Sequence, residues 1–201
     1  MLKIMFNDRY GLTEAVLSGR KTMTRRIIPN EFFSLTWDVR GNTLVYENAD
    51  GDFIDIRNSK YCLYKLGEVV AVAQGYKNAG INPGSIVSYK EDGTPVTAIQ
   101  SPGWTNKMFT RADLMPHQIR ITGLRVERLQ DISDEDCLRE GIEFHHDAQS
   151  YYVNYRKQTG YKAWLGRTPR EAFAALIDKV SGRGTWESNP YVMVDEFGLI
   201  K

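Results

Sequence analysis

Two cysteines are all that this chain of 201 residues carries, Cys62 and Cys137, far apart and in no CxxC pair. A disulfide framework is thereby excluded, and the two read as small buried hydrophobes in a reduced compartment. Histidine is as scarce. His117, His145 and His146 make no metal-ligand spacing with either cysteine, so a zinc site is rejected and no metal or cofactor is expected. An excess of one charge sign is also missing. Lys and Arg number 26 against 25 acids, a net charge of +1, so bulk charge cannot coat a nucleic acid; such contact needs a local basic patch. No apolar run approaches the ~20 residues that span a bilayer. The opening MLKIMFNDRYG places Asp8 and Arg9 where a signal peptide has its apolar centre. The expectation is a cytoplasmic chain with no membrane partner. Repeats and low-complexity tracts are lacking, and Ser181-Gly182-Arg183-Gly184 follows a helix instead of opening one, so it is no phosphate loop.

What the chain has is enough apolar residue, 42%, to build a sizeable core in one domain. Leu2, Ile4 and Phe6 alternate as a first strand. Thr13 is placed to cap a short helix, Glu14 to Ser18, which Gly19 stops. Turn signals at Gly41-Asn42 and Asp50-Gly51-Asp52 separate alternating runs and predict a β-hairpin. Val69 to Gln74 reads as a buried strand. Gln118 to Arg128 alternates but changes phase at Gly123, the mark of a β-bulge. Ser133-Asp134-Glu135-Asp136 opens a two-turn helix that stops at Gly141. Thr168-Pro169-Arg170-Glu171 opens another, with Phe173, Leu176, Ile177 and Val180 on its apolar stripe. Tyr191 to Phe197 is the last strand.

Strands dominate and helices fall between them irregularly, unlike a doubly wound sheet. The expected class is α+β, mainly β: a small barrel with short helices over its openings. Residues 1–201 read as one domain with insertions at about 30–60, 75–116 and 142–167. The second insertion is expected to be mostly irregular, and the third holds Tyr151, Tyr152, Tyr155, Tyr161 and Trp164.

Arg20-Lys21-Thr22-Met23-Thr24-Arg25-Arg26 packs four cations around two hydroxyls. In an extended chain Thr22, Thr24 and Arg26 share the face of Arg20, and Lys21, Met23 and Arg25 take the other. In a turn, Lys21 and Thr24 can converge. A threonine hydroxyl becomes a nucleophile only when its proton is taken, and a desolvated lysine of lowered pKa can take it. The alternative is a solvated basic turn. Glu140 ends its helix, where a carboxylate is unfavourable. It is either an exposed acid tolerated at small cost or one held by a cation or substrate amine. Trp186 is expected to pack as a structural residue.

The run Leu17-Ser18-Gly19-Arg20-Lys21-Thr22-Met23-Thr24-Arg25-Arg26 resembles the G-x-K-T-x-T-x-R signature of ASCH domains, a branch of the PUA-like superfamily. Further blocks resemble its longer bacterial and phage-borne members: Leu66-Gly67-Glu68, Met115-Pro116, Leu129 to Ser133 running to Glu140-Gly141-Ile142, and Asn189-Pro190-Tyr191-Val192. The resemblance implies a PUA-like barrel with a cleft for RNA or a modified nucleoside. A compact member removes the acetyl group of N4-acetylcytidine, and its Lys and Thr match Lys21 and Thr24, its Glu aligns best with Glu140, and its Arg matches Arg26. Similar long members often carry an acid where this chain has Gln74, so a proton relay could be lacking there.

Two functions stay open, with a ribonuclease as a third. One is a binding module in which Arg20, Lys21, Arg25 and Arg26 contact phosphate and Trp104 or Trp186 stacks a base, Gln74 lying in the same cleft. Four phosphate contacts would give RNA affinity a log–log salt slope of about −3. The other is an amidohydrolase in which Thr24 attacks, Lys21 activates it and Glu140 protonates the leaving amine.

Overall fold

The computed structural model describes residues 1–154 and 162–200. In chain order the elements are β1 (Lys3–Ile4), α1 (Leu12–Leu17), β2 (Met23–Ile27), β3 (Trp37–Arg40), β4 (Thr43–Glu47), β5 (Phe53–Asp55), β6 (Val69–Val72), β7 (Ile86–Tyr89) and β8 (Pro95–Thr97). Then follow β9 (Gln118–Arg128), α2 (Asp134–Arg139), β10 (Glu143–His145), β11 (Ser150–Asn154), β12 (Lys162–Gly166), α3 (Pro169–Ser181), α4 (Thr185–Ser188) and β13 (Tyr191–Leu199). The class is mixed α+β with strands in the majority, and no helix among the described residues is long and apolar enough to cross a membrane.

The central sheet has five strands in the order β1-β6-β9-β13-β2, and among the described residues it does not close into the expected barrel. Closure would need its two edges, β1 and β2, to pair. β1 is only two residues long and pairs in parallel with β6 at Lys3 and Ile4, shorter than the alternation from Leu2 to Phe6 predicts. The chain then turns away into α1. The helix also starts differently from expectation. Gly11, in the left-handed conformation at φ +63°, is the N-cap, and Thr13 lies inside the helix with its hydroxyl donating to Asp8 and to the Phe6 carbonyl.

The Gly123 bulge is present. Gly123 pairs with Glu196 and Ile121 with Phe197, so Thr122 is passed over. The bulge also divides the packing. Ile119 and Ile121 join the main core with Val70, Val192, Val194 and Phe173, whereas Val126 meets Met193 and Phe32 in a second core, and Leu124 packs against both.

The expected hairpin is the β4–β5 pair, extended to three strands by β3. Residues 75–116 are more regular than predicted. β7 and β8 form a hairpin over a small core of Ala71, Tyr76, Val87, Ala98 and Met115. Buried apolar side chains in that segment drive order that its turn residues conceal. β10, β11 and β12 make a third small sheet. Tyr151, Tyr152 and Trp164 sit on it, while Tyr155 and Tyr161 lie outside the described residues.

α2 and α3 open as their sequences predict: the hydroxyls of Ser133 and Thr168 accept from the amides of Asp136 and Glu171. On α3, Phe173, Leu176 and Ile177 are buried, but Val180 is 39% exposed, at the rim of a cavity.

Candidate functional site

The segment that joins α1 to β2 places Lys21 beneath the end of α2, and the contact is tight. Lys21 Nζ donates to Glu140 Oε2 at 2.5 Å and to the Glu140 carbonyl oxygen at 2.9 Å. Both side chains are buried, at 1% and 6% exposure. Glu140 is the C-cap of α2, so the cation meets the negative end of the helix as well as the carboxylate. The acid is therefore held by a cation, the second of the two readings its position allows.

Strand alternation puts Met23 and Arg25 on one face of β2 and Thr24 and Arg26 on the other. Arg25 donates to Glu140 Oε1 at 3.0 Å, to Glu127 Oε1 and to Asp136 Oδ2. Arg125 and Arg139 extend this network to Glu196 and share Asp136. Four cations and four acids thus alternate across the join between α2 and the sheet. Burial lowers the pKa of the Lys21 ammonium; Glu140 opposes that shift, while Arg25 and Arg26 reinforce it.

Lys21, Thr24, Arg25, Arg26 and Glu140 line one cavity of about 260 Å³. Met5, Phe6 and Asn7, just beyond β1, Leu12 of α1 and the apolar stripe and end of α3 complete it. The cavity thus occupies the seam that closure of the sheet would have filled. Its aromatic lining is Phe6 and Phe173, over which Lys21 Nζ and the Arg25 guanidinium lie at 5.8 Å from the ring centroids.

Four expected residues are elsewhere. Arg20 is paired with Glu143 at 2.7 Å and does not line this cavity. Gln74 falls just past β6 and lines a separate cavity of about 450 Å³ with Asp8 and Asn78, its Oε1 buried without a partner among the described residues. Trp104 packs against the small core of residues 75–116. Trp186 packs edge-on against Phe173 at 6.1 Å, as a structural residue should, with Arg170 over its ring. Arg25, expected as a phosphate contact, has a side chain 1% exposed and paired with three acids. Among the described residues no cluster of His, Cys, Asp and Glu has the arrangement of a metal site.

One residue escaped the sequence reading. Asp195 lies in β13 directly opposite Thr24, at 1% exposure, with Arg26 3.1 Å from its Oδ2. Burial pushes its carboxyl up to about 6; Arg26 opposes the shift and Glu140 adds to it. The available signal was the unbroken apolar run Val192-Met193-Val194, which marks a strand buried on both faces, so that the acid next in line is buried too. Phe6 and Phe173 were legible only as core. No family model, no curated protein and no solved structure matches this chain.

Proposed function

We propose that the chain binds a single modified nucleoside in the cavity at the β2 edge, and that it is an ASCH-type, PUA-like module whose barrel seam is that cavity. The observation that carries this is charge balance. Every cation from residue 20 to 26 already has a carboxylate: Glu143 for Arg20, Glu140 for Lys21 and Arg25, Asp195 for Arg26. Cations so occupied are poor ligands for a phosphate chain. A small cavity with aromatic lining and a few fixed polar groups suits one uncharged heterocycle. Calorimetric titration with cytidine, N4-acetylcytidine and uridine, beside cytidine 5′-monophosphate and a single-stranded RNA, tests it. Saturable nucleoside binding that the 5′-phosphate does not tighten is expected. Binding that needs phosphate, with no response to nucleosides, would sink the reading.

Amide hydrolysis is a second reading, favoured by the presence of Thr24 in the same cavity as a lysine whose ammonium is disfavoured by burial. Thr24 supplies the hydroxyl, and the Lys21–Glu140 pair supplies fixed charge beside the acyl group. Release of cytidine from N4-acetylcytidine, followed by chromatography and abolished by Thr24→Val, is the expected result. Turnover that survives Thr24→Val would remove threonine from the chemistry.

A further inference from the structure

Asp195 is buried in β13, and neither of its carboxylate oxygens has a hydrogen-bond partner among the described residues. Buried polar atoms without partners are few in folded proteins, and each calls for a physical reason. Arg26 approaches Oδ2 at 3.1 Å, yet makes no hydrogen bond with it. The residue opposite in the ladder is Thr24. Directly opposed residues share a face with their Cβ atoms ~5 Å apart.

Lys21 is poorly placed to take the Thr24 proton, the role its match to the family lysine implies. Both line the cavity, but Lys21 lies two residues before β2 and has no place in the ladder that sets Asp195 opposite Thr24. Its ammonium donates twice to Glu140, and a base needs a free lone pair, which an ammonium lacks. Asp195 is not itself in the cavity lining, but it stands opposite Thr24 in the ladder with both carboxylate oxygens free of donors among the described residues.

We propose that Asp195, not Lys21, accepts the Thr24 hydroxyl proton when an amide in the cavity is attacked. This rests on the hydrolytic reading above. Thr24 Oγ forms a bond to the acyl carbon while its proton passes to Asp195. The carbon–nitrogen bond then breaks, and the proton moves from Asp195 to the leaving amine. Water next hydrolyses the acyl-threonine ester, giving the carboxylic acid and restoring the hydroxyl. The groups facing Asp195 are Arg26 from β2, Glu140 from the end of α2, and Cys62 and Tyr64 from the segment before β6. With its carboxyl near 6, the acid is ionised at neutral pH and close enough to it to return the proton, as an efficient base requires.

The test uses the full chain and two readouts. Asp195→Asn should lower kcat for N4-acetylcytidine by ~100-fold or more. KM and cytidine affinity should hold, and the acidic limb of the pH profile near 6 should vanish. Turnover retained by Asp195→Asn but lost in Lys21→Met would overturn the assignment. The second readout does not need turnover. In carboxyl-carbon NMR the Asp195 midpoint should rise in Thr24→Val, because valine removes the hydroxyl opposite the carboxylate that can turn to donate to it. A midpoint that does not move overturns the pairing whatever the kinetics show. Failure of the wild type to bind any nucleoside would instead sink the reading of the cavity, which the titration separates from the Asp195–Thr24 coupling.

Discussion

Lys21 holds Glu140 at two points, carboxylate and backbone carbonyl, across a separation of 119 residues. One amine thus fastens the loop before β2 to the end of α2. Replacing it by Met should leave Glu140 with Arg25 as its remaining cation. Breaking one partner out of a buried pair costs about 3 kcal/mol. Urea unfolding of Lys21→Met should show a loss of that order. Adding Glu140→Gln should restore part of it, because Arg25 keeps Glu127 and Asp136. A loss under ~1 kcal/mol, or a double variant worse than the single by the full amount again, would mean that the pair is not the fastening.

Gly141 shows how close that join is. It sits at φ +99°, and a Cβ there would come 3.2 Å from Ala15 Cβ and 3.4 Å from Lys21 Cβ. Gly141→Ala therefore meets both backbone strain and crowding from α1. A cost of about 1–3 kcal/mol is expected, with a weakened nucleoside affinity because Glu140 is the preceding residue. Gly19→Ala is the control. It has a positive φ of +75° but open space around it, so only the strain part should appear. Equal losses at the two sites in thermal unfolding would argue against crowding at Gly141.

The two caps, the Gly123 bulge, the β4–β5 hairpin and the closing strand were legible because each rests on a local rule: a hydroxyl three residues before an amide, a change of phase, a turn pair. The convergence of Lys21, Thr24 and Glu140 in one cavity was reached through a resemblance, since no local pattern carries a contact across more than a hundred residues. The open sheet was not legible, because strand order depends on which edges find partners. Nor was the state of Arg25. Four cations in seven residues look alike in sequence, and only the fold supplies Glu127, Asp136 and Glu140 to bury one of them.

That burial changes what RNA should do. With Arg20, Lys21, Arg25 and Arg26 all paired internally, few counterions are released when a strand approaches. The slope of log affinity against log salt for a ten-nucleotide single strand should be shallower than about −1.5, half the value that four free phosphate contacts give. Fluorescence anisotropy across a salt series measures it. A slope near −3 that Arg26→Ala flattens would return the basic segment to the role its composition suggested.

Asp195 makes the last prediction, and it concerns stability. Its carboxyl titrates near 6 in the fold against an ordinary 3.8, raised by burial with Glu140 adding and Arg26 opposing. Between those values the folded chain binds more protons than the unfolded one, so stability falls as pH rises through the window. The shift corresponds to about 3 kcal/mol once Asp195 is fully ionised above pH ~7. Asp195→Asn cannot ionise, so it should be more stable than the wild type above that pH. The gain should shrink as pH falls through ~6 and disappear near pH ~4, where the wild-type acid is protonated in both states. Thermal melts of both proteins at pH 4, 6 and 8 decide it. An activity loss accompanied by a rise in Tm at pH 8 would also show that the variant folds and that its defect lies in the chemistry. Asp195→Asn destabilised equally at all three pH values would place the carboxylate among the structural groups of the sheet, with Arg26 as its true partner.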